Sequence, residues 1–119
     1  KSLMTNKNIP VYGDGSNIRD WLYVKDNVKI IFKIWKKSIV DEIYNISLLQ
    51  EYKNIDIIKM VTDILKKDFK KNIVFVDDRP GHDFRYSISN DKLIEQKIVL
   101  DTSFVYNLIE TVNSLKKRF

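Results

Sequence analysis

Cysteine is absent from this 119-residue chain, and glycine, proline and histidine are scarce, at three, two and one. Without cysteine there is no disulfide framework and no thiolate metal site, which suits a cytoplasmic protein. A lone histidine excludes clustered-imidazole metal sites, so no metal is expected. The three glycines lack the Gly-x-Gly-x-x-Gly spacing, which excludes a dinucleotide fingerprint within the chain. No apolar run approaches the ~20 residues that span a bilayer, so no membrane partner is expected.

Arginine is scarce too, with four residues against a lysine-rich background. Three of the four, the histidine, every glycine and both prolines fall in two segments: residues 9–21, IPVYGDGSNIRDW, and residues 77–86, DDRPGHDFRY. A planar guanidinium grips a phosphate with two parallel hydrogen bonds, whereas an ammonium acts as a point charge. Arginines set beside Gly and Pro turns therefore suggest a phosphate-bearing ligand. The alternative reading pairs Arg19 and Arg79 with Asp20 and Asp78 or with other local carboxylates.

The remaining composition is that of one soluble domain: 44% hydrophobic, 31% charged, net charge +5. The positive charge sits in lysine doublets such as Lys66–Lys67 and Lys116–Lys117, mostly in the last turns of predicted helices, where cations oppose the helix dipole. That is a solvated surface rather than a groove-tracking stripe, so nucleic acid is not an expected partner.

Residues 9–12 read as a strand closed by the Gly13-Asp14-Gly15 turn, and residues 18–24 as a second extended segment. Asp26 stands where a helix N-cap belongs. Val28, Ile31, Phe32 and Trp35 follow at helical spacing, predicting a helix to about Lys37 that buries these side chains. Trp21 is likewise assigned to the core. Residues 42–46 alternate as a short strand; Asn54 caps a helix with stripe Ile58, Val61 and Leu65. Residues 72–76 form a β-branched run leading into the second motif, and residues 86–88 read as extended. Ser89 or Asn90 caps a short helix to about Glu95. Thr102 or Ser103 opens the last helix, with Val105, Leu108, Ile109, Val112 and Leu115 inward. Strands alternating with helices argue for an α/β fold.

In the second motif Pro80 restricts one backbone angle and Gly81 frees the next, making a corner that can present Arg79 and His82 to one pocket. Asp77, Asp78 or Asp83 would orient them. The strings VYGDGSNIRDWLYVKD, EIYNIS and VDDRPGHDFRYSIS resemble, in order and spacing, the nucleotide-sugar 4,6-dehydratases of the extended short-chain dehydrogenase/reductase group. The resemblance implies the carboxy-terminal part of a Rossmann-type α/β fold, a small mixed α/β substrate-binding domain over residues 1–119. The NAD-binding Rossmann portion is expected outside this chain, which opens on Lys1 and reads as a piece of a longer protein.

The resemblance further implies that Pro10 and Tyr12 line the nucleoside site, that Arg19 and Arg79 clamp the diphosphate, that Asn45 adds a hydrogen bond, and that His82 and Tyr86 support the wall. Ser47-Leu48-Leu49 stands where the family usually has two glycines, which bears on the loop near the sugar. No catalytic residue is expected here: none of the six tyrosines begins a Tyr-x-x-x-Lys pair. The implied reaction of the intact enzyme, a lyase with bound NAD and expected to be a homodimer, converts dTDP-glucose to the 4-keto-6-deoxy sugar, an entry to deoxysugars such as rhamnose. The competing readings are a UDP-sugar dehydratase, epimerase or decarboxylase, or a non-catalytic nucleotide-sugar-binding module.

Overall fold

Two small sheets, rather than one, organise the computed structural model, which describes residues 1–37 and 41–118. Strand β1 (Ile9–Tyr12) pairs in parallel with β4 (Ile73–Val76), in the register Ile9↔Ile73 through Tyr12↔Val76. Strand β2 (Ile18–Asp20) pairs antiparallel with β3 (Glu51–Lys53). A single parallel bridge, Ile18↔Arg85, ties β2 to the second motif. Helices α1 (Val24–Lys36), α2 (Asn54–Ile64), α3 (Asp91–Glu95) and α4 (Phe104–Lys116) complete the fold, with α2 packed against α4 and β3.

Helix α1 departs from the sequence expectation in its start and its orientation. It begins at Val24, so Asp26 lies in the first turn rather than at the cap. Its buried side carries Ile30, which packs with Leu93 and Ile98 and is flanked by Ile34, Tyr44, Ile46, Leu48 and Leu100. Val28, Ile31, Phe32 and Trp35 face outward, with Trp35 70% exposed. The helix is apolar on two faces, and periodicity alone does not say which one a small core will take. On α4 the expected inward set is met in part: Val112 is buried and Leu108 and Leu115 are half-buried, but Val105 and Ile109 are exposed.

The strand expected over residues 42–46 does not form, and Ile43 is 87% exposed. An extended segment becomes a strand only when another offers its backbone groups, and none among the described residues does so here. The extended run of residues 18–24 stops at Asp20 as a strand, and residues 86–88 contribute no strand beyond the bridge at Arg85. The expected cap at Ser103 does form: its hydroxyl accepts from the Tyr106 backbone N–H at 3.4 Å.

The shape is a slab, 50 × 36 × 19 Å with a radius of gyration of 16.9 Å, against roughly 13.5 Å for a compact domain of this length. Its accessible surface is 8486 Å², against about 6,800 Å² for a folded monomer of this mass. Val24, Val28, Ile31, Phe32 and Trp35 form one apolar stripe along α1 on that excess surface.

One buried carboxylate holds α1 to α4. Asp26, 2% exposed, accepts through Oδ2 from the Thr102 hydroxyl (2.5 Å) and Asn107 Nδ2 (2.7 Å), and through Oδ1 from Lys29 Nζ (3.1 Å). Burial pushes its pKa up, but the bonds from Thr102, Lys29 and Asn107 outweigh it and leave the group below the ordinary carboxylate value. A depressed folded pKa makes this contribution full above the unfolded value of about 3.9 and erodes it as pH falls through the lower folded value. Asp26→Asn turns an amide N–H₂ toward existing donors and is expected to cost about 2 kcal/mol. Urea unfolding at neutral pH measures this loss, and the gap between variant and parent should narrow in acid.

Candidate functional site

The parallel register brings the ends of β1 and β4 side by side, so both motif loops leave the sheet at its carboxyl edge. The Gly13 N–H donates to Val76 O at 3.0 Å and links the two exits. Ligands of open α/β sheets commonly bind outside this edge. Gly15, at φ +76°, lets the chain turn there; an added Cβ would lie 2.9 Å from Val11 Cγ1 and 3.0 Å from Ile55 Cβ. In the second loop the His82 N–H donates to Arg79 O at 3.1 Å around Pro80 and Gly81, with Gly81 at φ +69°. That is the residue pattern of a type II turn.

Five of the seven expected site residues meet at this edge. Tyr12 stands edge-on to His82 (centroids 6.5 Å, 80°) and beneath the Arg79 guanidinium (5.3 Å). Arg19 lies over the Tyr86 ring at 4.2 Å, and its Nη2 is 3.0 Å from His82 Nε2. Pro10 and Tyr12 line a cavity of about 290 Å³ together with Val11, Gly15, Trp21 and Ile57. Asn45 is exposed, and its side chain makes no hydrogen bond among the described residues, so nothing ties it to the group.

The three motif arginines have three different environments. Arg19 donates to the carbonyls of Ile18 (2.6 Å), Phe84 (3.2 Å) and Asp83 (2.9 Å) as well as facing His82. Arg85 forms a forked pair with Glu51, at 3.1 and 2.7 Å; this bond holds the Glu51 carboxyl below its usual range. Among the described residues the Arg79 guanidinium makes no hydrogen bond or ion pair; it lies over the Tyr12 ring, near enough to Asp78 for its charge to lower that carboxyl's pKa. Neither Arg19 nor Arg79 pairs its guanidinium with Asp20 or Asp78, so the local ion-pair alternative does not hold for them.

Those aspartates instead bind elsewhere. Asp20 accepts from the Ser47 hydroxyl and from the Gln50 N–H (3.0 Å), pinning the loop where two glycines were expected. Ser47 Oγ also receives the Leu49 N–H at 2.9 Å. Asp78 Oδ1 lies 2.6 Å from His82 Nδ1, a bond that depresses the Asp78 pKa. The Tyr86 hydroxyl donates to Asp83 Oδ2 at 2.7 Å, and that carboxylate pushes the phenol pKa up, keeping Tyr86 a neutral donor rather than a general base.

Asp20, Asp78 and Asp83 are the supporting residues that sequence reasoning left unassigned or open; the signal was acidic residues flanking each Gly or Pro corner. Trp21 is half-buried, and its indole N–H is shielded from solvent with no hydrogen-bond partner among the described residues.

The model of the NAD dependent epimerase/dehydratase family matches residues 1–47. The dTDP-glucose 4,6-dehydratase of Shigella flexneri is 40% identical over 96 residues, covering 76% of this chain and 27% of that protein. The chain is similar to part of a dTDP-glucose 4,6-dehydratase. The crystal structure of the Bacillus anthracis dTDP-glucose 4,6-dehydratase in complex with NAD matches 98% of the chain and 36% of its own length, with 36% identity and a TM-score of 0.85. The Streptomyces venezuelae dTDP-glucose 4,6-dehydratase, solved with NAD and TYD bound, gives 30% identity and a TM-score of 0.86 over 98% of the chain and 36% of its own. The chain thus spans about a quarter to a third of the relatives it matches. The fold is the α/β fold of the extended, Rossmann-type enzymes, as the motifs implied.

Gly13 and Gly15 turn from β1 into β2 rather than into a helix, and Gly81 sits in a tight corner; among the described residues no glycine-rich turn opens a helix to receive a pyrophosphate.

Arg19→Ala removes the bonds that hold Asp83 and Phe84, so amide exchange at Tyr86 and Ile18 should accelerate at least tenfold. Arg85→Ala removes a solvent-screened pair and should leave those amides nearly unchanged; hydrogen-exchange mass spectrometry or NMR compares the two.

Proposed function

We propose that this chain is the nucleotide-sugar-binding portion of a dTDP-glucose 4,6-dehydratase, a lyase forming the 4-keto-6-deoxy sugar on a route to deoxysugars such as rhamnose. The observation that carries the reading is the unpaired Arg79 guanidinium over the Tyr12 ring, beside the cavity that Pro10 and Tyr12 line. A base in that cavity would place its diphosphate toward Arg79. A guanidinium without a carboxylate partner keeps its full charge and its forked donors for an anion.

The other residues take supporting roles in this reading. Arg19 adds positive charge from a position fixed by backbone carbonyls. His82 and Tyr86 complete the wall as hydrogen-bonding groups, and Asn45 contributes an exposed amide. NAD would be held by the remainder of the longer enzyme, which would also supply the reacting acid and base groups. The apolar α1 stripe and the slab shape support such a remainder, because a surface of this kind is normally covered. In the cell we place the intact enzyme in the cytoplasm as a homodimer. The absence of cysteine suits that location, and among the described residues no helix is long and apolar enough to cross a membrane. The dimer rests on the family resemblance alone.

Calorimetric titration with dTDP tests the clamp. Arg79→Lys keeps the charge but loses the fork, and should weaken binding about five- to tenfold; Lys37→Ala should change it less than twofold. Equal losses in the two variants would remove Arg79 from the site. A second expectation concerns the stripe: Phe32→Ser with Trp35→Ser should reduce self-association of the 119-residue chain in light scattering, whereas the same pair in the full-length enzyme should destabilise it.

A further inference from the structure

Arg19 is held entirely by neutral acceptors. Four of its N–H groups point at three backbone carbonyls and one imidazole nitrogen, and no carboxylate pairs with it among the described residues. A carboxylate in any of those places would fix the guanidinium equally well but would cancel its charge. The imidazole is the one acceptor of the four whose character depends on a proton.

Arginine can only donate. His82 Nε2, at 3.0 Å from Arg19 Nη2, must therefore present a bare lone pair. The single ring proton then belongs on Nδ1, which faces Asp78 Oδ1 at 2.6 Å. The ring has little freedom to choose otherwise: its side chain is 7% exposed, and the Tyr12 ring stands edge-on to it. The other tautomer would set an Nε2–H against an arginine N–H and leave Nδ1 facing a carboxylate lone pair. Which nitrogen carries the proton is set by the bond the other one makes.

We infer that Asp78 is a positioning residue: it fixes His82 as the Nδ1–H tautomer, and so makes Nε2 the acceptor that aims Arg19 at an anion. The inference rests on the nucleotide-diphosphate reading for what Arg19 is aimed at, but the tautomer itself does not. The link runs through one corner of five residues, 78–82. Asp78 and His82 flank the Arg79-Pro80-Gly81 turn, so the same corner that exposes the free Arg79 also sets the orientation of Arg19. A single backbone feature thereby governs both guanidiniums.

The lone histidine makes the test direct, because long-range proton–nitrogen NMR of the imidazole needs no assignment. The expected spectrum of the chain at neutral pH shows a protonated Nδ1 and an unprotonated Nε2. In Asp78→Ala the ring loses its Nδ1 anchor and should turn out of line with Arg19, which frees the ring proton to populate Nε2, and affinity for dTDP should fall about tenfold. Asp78→Asn keeps an oxygen able to accept from Nδ1–H, and should restore both the tautomer and most of the affinity. A proton on Nε2 in the parent chain would overturn the inference whether or not any variant folds. So would an Asp78→Ala chain that binds dTDP as tightly as the parent. Loss of dTDP binding by the parent with the Nδ1–H tautomer intact would overturn the nucleotide reading and support the Asp78–His82 link.

Discussion

The parallel ladder between β1 and β4 is the constraint on which the rest of the site depends. Two strands far apart in sequence are held in a register that ends on Tyr12 beside Val76. Everything that follows either strand must then begin at one edge. The glycine turn after β1 and the proline-glycine corner after β4 are local features, each encoded by a few residues. Their meeting is not local: it requires the hydrogen bonds of a sheet whose strands are separated by β2, α1, β3 and α2. The Gly13 bond to Val76 extends that pairing past the strand ends and into the loops.

Once the loops meet, charge decides what each arginine becomes. Arg85 faces a carboxylate and forms a forked pair that neutralises it. Arg19 meets only carbonyl and imidazole acceptors, so it is fixed without being neutralised. Arg79 makes no hydrogen bond or ion pair among the described residues and lies over an aromatic face, with Asp78 close enough to feel its charge. A cation over a ring is attracted by about 0.5–1 kcal/mol at an exposed site, too little to hold it against a phosphate. The three guanidiniums thus range from committed to available within one short stretch of surface, and the aspartates near them serve as orienting groups rather than as counter-ions to Arg19 or Arg79.

Much of this was legible in the sequence because the relevant signals are short-range. Gly15 and Gly81 mark turns that need positive φ, Ser103 caps α4, and the arginines gather beside those turns. The failures share one cause. Val28, Ile31, Phe32 and Trp35 make as good a stripe as Ile30 and Ile34, and the choice depended on where Leu93 and Ile98 would lie. Residues 42–46 have a strand's alternation but no backbone partner among the described residues. Asp26 looked like a cap and instead bonds Thr102 and Asn107, neither of which is a sequence neighbour.

By itself the sequence determined the turns, the positions of most helices, and the gathering of arginines beside the two turn segments, because each depends on residues within a few positions of one another. Only the tertiary structure decided which face of α1 is buried, which arginine is paired, fixed or free, and which aspartate serves which neighbour. Those outcomes turn on distances of a few ångströms between segments far apart in the chain, set by sheet register and core packing.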